Sequence, residues 1–263
     1  MANSTETDDD LLSLDAISLS FGGVAALEDV SFNVRQGEIR AIIGPNGSGK
    51  SSLLNCINGF YQPQSGRITF KGETRSRMKP HAAAKLGIAR TFQNIALFPG
   101  MATLDNVMTG RNLKMHRNIF WQALHFGPAR KEETEHRAVA EEMIHFLGLE
   151  AVRDTQVGEL PYGLQKRVEL ARALVAEPDL LLLDEPMAGM NREGKGGMCR
   201  TIIDAKEKLG ITIVLIEHDM SVVMDISDRI VVLDHGSKIA DGTPDEVRSN
   251  SDVIDAYLGV KHS

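Results

Sequence analysis

At 263 residues, with a formal net charge of -7 and an ordinary globular composition, the chain is long enough for one sizeable α/β domain or for a core carrying a smaller insertion, and its acidity argues against a nucleic-acid-binding role. Its two cysteines, Cys56 and Cys199, are far apart, which speaks against a disulfide framework or a cysteine zinc site and suits a reducing cytoplasm. Residues 1–10 lack the basic and apolar regions of a signal peptide and predict a disordered acidic tail; no apolar run approaches the length of a membrane span, so any membrane role must go through a partner.

Leu12, Leu14, Ile17 and Leu19 give a rough apolar alternation and Val30, Phe32 and Val34 a clean one, so both stretches are predicted strands. Between them Phe21 precedes Gly22 and Gly23, and its ring is either core or a platform for a flat base. Residues 38–43 predict a third strand, and Leu53, Leu54 and Ile57 place a helix over 51–58. Between that strand and that helix, Gly44, Pro45, Asn46, Gly47, Ser48, Gly49, Lys50 and Ser51 satisfy every constrained position of the phosphate-binding P-loop pattern G-x-x-x-x-G-K-[ST]. The glycines let the backbone turn its N–H groups toward phosphate oxygens, the lysine reaches the β- and γ-phosphates, and the serine hydroxyl ligates Mg²⁺. The helix N-terminus adds the positive end of its dipole. We therefore take 44–51, with Ser52 beside them, as a candidate nucleoside triphosphate site, and that reading makes Phe21 the candidate adenine platform.

Further on, residues 66–70 predict a strand, 79–86 a helix closed by Gly87, and 88–93 a strand ending in Gln93, whose amide oxygen suits Mg²⁺ and whose NH₂ suits a water. A helix is predicted from Thr103, with Leu104, Val107 and Met108 on it. The segment 111–131 mixes Arg111, Lys114, Arg117, Arg130 and Lys131 with Phe120, Trp121, Leu124 and Phe126; it reads as amphipathic helices or as a surface facing a membrane or permease. His116, His125, His136 and His145 are not spaced at i,i+4, so no metal site is expected among them, and 132–146 predicts a charged helix. Leu180 to Leu183 form a continuously apolar strand that ends in Asp184 and Glu185, as a strand buried on both faces would be if it carried its chemistry at its tip. In a P-loop enzyme the first carboxylate holds Mg²⁺, and the second is placed to polarise a water. A strand over 211–216 delivers His218 to the same sheet edge if it lies beside the P-loop strand.

With these motifs in this order, and with Leu160, Pro161, Tyr162, Gly163 and Leu164 leading into the helical stretch 164–176, the chain resembles the ATP-binding subunits of ABC transporters. Among them it is most similar to the branched-chain amino acid importer class. That likeness rests on 44–51, 89–93, 183–191 and 216–220, and on a closing stretch 242–259 in which Thr243, Glu246 and Pro244 also fit a capping box. The resemblance implies an α/β fold: a P-loop ABC ATPase core with a mixed sheet, an antiparallel β subdomain and an inserted helical subdomain. It divides the single domain 11–259 into a core of 11–93 and 168–242, a helical subdomain of 94–167 and C-terminal helices over 243–259. It makes Phe21 the adenine-stacking aromatic, Gln93 the sensor of Mg²⁺ and of the permease, Glu185 the catalytic carboxylate and His218 the switch histidine; Asn191 stands where the family usually has Asp. Lys50 joins the catalytic set, and Ser51, Gln93 and Asp184 form the metal set.

The resemblance also implies partners: a second ATP-binding subunit meeting this one head to tail across ATP, membrane permease subunits contacted near Gln93, Phe98 and Met101, and indirectly a substrate-binding protein, with the chain on the cytoplasmic face of the membrane. The signature departs from the family's usual Leu-Ser-Gly-Gly-Gln at Pro161, Tyr162 and Leu164. Pro161 offers neither a hydroxyl nor an N–H to the partner's γ-phosphate, a loss of about 0.5–1.5 kcal/mol for one neutral hydrogen bond. The residues serving this chain's own nucleotide are all present. The expectation is an importer ATPase whose stronger site is the one on this P-loop; an exporter or lipid-extracting subunit, or a regulatory subunit with weak hydrolysis, are the alternatives.

Overall fold

The structure is a computed structural model that describes residues 9–75, 77–112, 114 and 128–258. Within the tail only Asp9 and Asp10 fall inside it, and Arg117, Phe120, Trp121, Leu124, Phe126, His116, His125 and Gly259 lie outside the described residues, as do the side chains of Arg130 and Lys131. Among the described residues ten strands form two sheets. β1 (Asp10–Phe21), β2 (Val24–Arg35), β4 (Ser65–Phe70) and β5 (Glu73–Arg75) make an antiparallel sheet in the order β2-β1-β4-β5. β3 (Ile39–Ile43), β6 (Ile88–Arg90), β7 (Leu180–Asp184), β8 (Thr212–Ile216), β9 (Arg229–Asp234) and β10 (Ser237–Gly242) make the second, in the order β10-β9-β3-β8-β7-β6, parallel except for β10.

Every residue of β3, β7 and β8 is buried, which is why these strands read as unbroken apolar runs. Their side chains still alternate. Leu180 and Leu182 enter a core shared with Leu12, Leu14, Phe32 and the P-loop helix α1 (Lys50–Ile57), whereas Leu181 and Leu183 enter a second core beneath the remaining helices. That second core receives α3 (Thr103–Thr109), α4 (Pro128–Phe146), α5 (Tyr162–Leu174) and α6 (Arg192–Leu209) through Leu104, Val107, Ile144, Val168 and Ile202. The short helix α2 (Pro80–Lys85) ends at Gly87, whose φ of 96° only glycine adopts freely. α7 (Met220–Ile226), α8 (Pro244–Arg248) and α9 (Ser251–Leu258) are the remaining described α-helices, and α8 carries the expected capping box of Thr243 and Glu246. Among the described residues no helix is long and apolar enough to cross a membrane.

Two sequence expectations need correction. The strand expected to reach Gln93 stops at Arg90: Thr91 still donates to Leu182 O at 3.0 Å, and the chain then leaves the sheet. The helix expected over 164–176 spans Tyr162–Leu174, so Tyr162, Gly163 and Leu164 form its first turn and Pro161 is its N-cap residue. Proline's missing N–H costs nothing there, because the first amides of a helix have no partner within the helix.

Candidate nucleotide site

The P-loop joins β3 to α1 at the carboxyl edge of the parallel sheet, where open α/β sheets bind ligands. Two of its glycines, Gly44 and Gly49, are required by close approach. A Cβ on Gly44 would lie 2.0 Å from Leu233 O, and one on Gly49 2.4 Å from Ala26 O, at φ values of 146° and 102°. Gly49 is also the N-cap of α1 and provides no side-chain cap, so the amides of its first turn face outward unsatisfied by side chains, as an anion site requires. Lys50 is buried and folds back over the loop, its Nζ donating to Gly44 O at 2.8 Å and Pro45 O at 2.9 Å. Burial lowers its pKa, and the nearby Glu185 and Asp184 carboxylates oppose that shift. An ammonium held on two carbonyls at low solvation is ready to exchange them for phosphate oxygens.

Asp184 ends β7, which lies between β8 and β6, and Glu185 follows it directly. Asp184 is buried, and its Oδ2 accepts from Arg90 Nη2 at 2.9 Å while its Oδ1 is buried without a hydrogen-bond partner among the described residues. A buried carboxylate oxygen left open in this way costs free energy unless a cation or a cation-bound water meets it, so Asp184 fits Mg²⁺, and Ser51 stands on the first turn of α1. Glu185 sits at φ 50°, a left-handed backbone unusual for a residue with a side chain. Its carboxylate is held from both sides: Gln93 Nε2 donates to Oε2 at 3.0 Å, and His218 Nε2 lies 2.5 Å from Oε1. The backbone supports the turn, since Glu185 N donates to Ile216 O at 3.0 Å. Beneath it Glu217 accepts from Met187 N and His218 N at 2.9 and 3.2 Å, and burial raises its pKa.

Phe21 stands half-exposed at the end of β1, its ring edge-on to Tyr61 at 5.0 Å, and Tyr61 meets Phe60 at 5.5 Å. The ring is thus packed against a neighbouring aromatic yet remains half-exposed, as a stacking platform would have to be. The signature stretch is separate. Leu160 is buried, while Pro161, Gly163 and Leu164 line a groove of about 490 Å³ with Gly189 and Asn191. Asn191 caps α6, its Oδ1 accepting from Gly194 N at 2.8 Å, a task that the Asp expected at this place performs equally well.

Lys50, Gln93, Asp184, Glu185 and His218 thus converge at one sheet edge. The reading of the sequence missed Arg90, which spans Asn55 Oδ1 at 2.5 Å and Asp184, and whose guanidinium lies 5.3 Å from the Phe92 ring centroid. A signal was available: a cation inside a short strand of a buried sheet demands a carboxylate partner. It also missed Lys166 and Glu169, both buried on α5.

Comparison with known proteins places the chain in a family. A family described as "ABC transporter" matches residues 27–188, and one described as "Branched-chain amino acid ATP-binding cassette transporter" matches 237–263. The chain is 38% identical over 250 residues to the high-affinity branched-chain amino acid transport ATP-binding protein BraF of Pseudomonas aeruginosa, covering 95% of this chain and 98% of that one. It is 37% identical over 249 residues to the LivG protein of Escherichia coli, which bears the same description, again covering 95% and 98%. In structure it matches a nucleotide-free ATP-binding cassette from an ABC transporter with a TM-score of 0.83 at 32% identity, covering 95% of this chain and 100% of the other. A dimeric bacterial ABC transporter cassette matches with a TM-score of 0.74 at 25% identity over 89% and 98%. A P-loop sheet with paired carboxylates at its edge and a helical layer between β6 and β7 defines an ATP-binding cassette. This chain belongs to the ABC transporter family, in the group of branched-chain amino acid transport ATP-binding proteins.

Proposed function

We propose that the chain is the ATP-hydrolysing subunit of an importer for branched-chain amino acids or closely related small solutes. The observation that carries this reading is the grip of Gln93 and His218 on the two oxygens of Glu185, at an edge shared with Lys50 and Asp184. The relatives are named for high-affinity branched-chain amino acid transport, which supports the cargo class.

The amides of 44–51 and Lys50 bind the triphosphate, and Phe21 stacks the adenine. Ser51, Asp184 and Gln93 would hold Mg²⁺, which would supply neutralisation of the phosphate charge. Glu185 orients and polarises the attacking water; His218 keeps its carboxylate turned toward the reacting centre, and Gln93 reports whether the site is filled. Residues 160–164 serve the nucleotide of a second ATP-binding subunit, and the likeness to a dimeric cassette supports that pairing. Segment 94–167 acts as the helical subdomain, and its surface near Gln93, with Met101 and the exposed Phe98, offers a permease its contact at the cytoplasmic membrane face.

Because Pro161 removes a donor from the signature, the site on this P-loop is the stronger one when the partner brings an intact signature. The test is ATP-dependent uptake of labelled leucine by vesicles holding the permease, both ATP-binding subunits and the binding protein. Uptake that disappears with Glu185→Gln in this chain supports the reading. Steady ATP turnover without uptake of any branched-chain amino acid opposes the assigned cargo, and undetectable turnover in the complete complex points instead to a regulatory subunit.

A further inference from the structure

Lys166 and Glu169 are only 3% and 1% exposed, on the buried side of the helix that begins at the signature. Their Nζ and Oε2 stand 3.4 Å apart, yet most of their bonding capacity goes to one loop. Lys166 Nζ donates to Phe92 O at 3.2 Å and to Gln93 O at 2.9 Å. Glu169 Oε1 accepts from Phe92 N at 3.4 Å and from Ala96 N at 3.5 Å. Arg172, one turn further along α5, donates through Nη1 to Ala96 O at 2.6 Å. Helix packing does not need these charges, because Val168, Leu170, Ala171 and Leu174 already fill the core there. Two desolvated charges are costly to bury, and an apolar pair packs as well, so their distinctive effect is on what they bind.

We propose that Lys166 and Glu169 are positioning residues that fix the backbone of 92–96 to α5, so that the Gln93 side chain meets Glu185 only while the loop follows that helix. The chain of contacts runs from Lys166 to Gln93 O, and from Gln93 Nε2 to Glu185 Oε2 at 3.0 Å. Residues 161–164 occupy the other end of the same bond path, at the first turn of α5. A displacement of that turn by the partner's nucleotide therefore carries the Gln93 loop with it, coupling the site this chain lends to the site it owns. The inference rests on the roles proposed above for Gln93 and the signature.

The test is the double variant Lys166→Met/Glu169→Gln, which leaves no lone buried charge. In the nucleotide-free full chain, amide exchange of 92–97 is expected to speed up on the order of tenfold or more while that of 44–52 stays unchanged. In the complete transporter kcat should fall roughly 10–100-fold with KM for ATP within about twofold, as for a misplaced rather than missing group. Unchanged exchange of 92–97, or unchanged kcat in a folded variant, overturns the proposal. If the double variant does not fold, Lys166→Gln is read in its place, with the same rise in exchange expected and the same failure counting against it. Gln93→Ala separates the two layers: full activity there removes the role of Gln93 and this inference with it, whereas lost activity there with a normal Lys166→Met/Glu169→Gln enzyme removes this inference alone.

Discussion

His218 Nε2 and Glu185 Oε1 lie 2.5 Å apart, joining the tips of β8 and β7, two parallel neighbours in register from Leu180 opposite Thr212 to Asp184 opposite Ile216. Glu185 reaches that histidine from a left-handed backbone at φ 50°. Such a conformation persists only where surrounding structure imposes it, and here it aims the carboxylate across the sheet edge rather than along the strand.

Replacing Glu185 with Gln keeps the shape and removes the proposed base. ATP hydrolysis by the assembled transporter is expected to drop about 10²–10⁴-fold with nucleotide affinity retained, measured as phosphate release beside equilibrium ATP binding. His218→Ala should lose activity in the same direction. The double variant should be little worse than the more damaging single one, because the pair acts as a unit. Additive losses would separate the two roles.

Arg90 and Asp184 form a buried ion pair at 2.9 Å, with side chains 10% and 5% exposed. Arg90→Met leaves Asp184 buried and uncompensated, and such a break costs about 3–5 kcal/mol. Denaturant unfolding should show the midpoint falling at constant slope, with bound Mg-ATP restoring part of the loss. A variant as stable as the parent would mean that water reaches Asp184 once the guanidinium is gone.

Phe21 presents a half-exposed ring buttressed by Tyr61 at 5.0 Å. Base–aromatic stacking is worth about 1–3 kcal/mol, so Phe21→Ala should weaken ATP binding roughly 5–150-fold, while Phe21→Trp keeps it. Fluorescent-nucleotide titration reads both, and equal affinity for Phe21→Ala and the parent would remove Phe21 from the site.

Asp219, next to His218, is held down to about 2 by the Lys195 ammonium and the Ser221 hydroxyl, at 2.7 and 2.6 Å. A depressed folded pKa contributes stability above the ordinary value of 3.8 that is lost as pH falls toward 2. Acid unfolding of the parent should therefore steepen below about pH 4, and Asp219→Asn should flatten that part of the curve while lowering stability at neutral pH. A parallel pair of pH–stability curves would show that solvent screens the pair.

Much of this molecule was legible from local pattern. The P-loop match, the apolar β7 ending in Asp184 and Glu185, the strand delivering His218, and the capping box of Thr243 and Glu246 all depend on neighbours within one strand or one helical turn, the range over which spacing carries information. The resemblance to ABC ATPases, carried by those stretches, holds across the comparisons.

What tertiary structure decided lies between residues far apart in the chain. Arg90 finds Asp184 across 94 positions, Lys166 finds Phe92 across 74, and Gln93 finds Glu185 across 92. No periodicity encodes such pairings. They arise because β6 and β7 pair in parallel and α5 packs on the same layer, and because a buried charge must find a partner inside the fold. Local motifs and the resemblance they carry pointed to the fold class, and they named the side chains proposed to carry the chemistry. Only the packed sheet and α5 decided that Gln93 lies beyond its strand, held by a buried lysine, with its amide on Glu185.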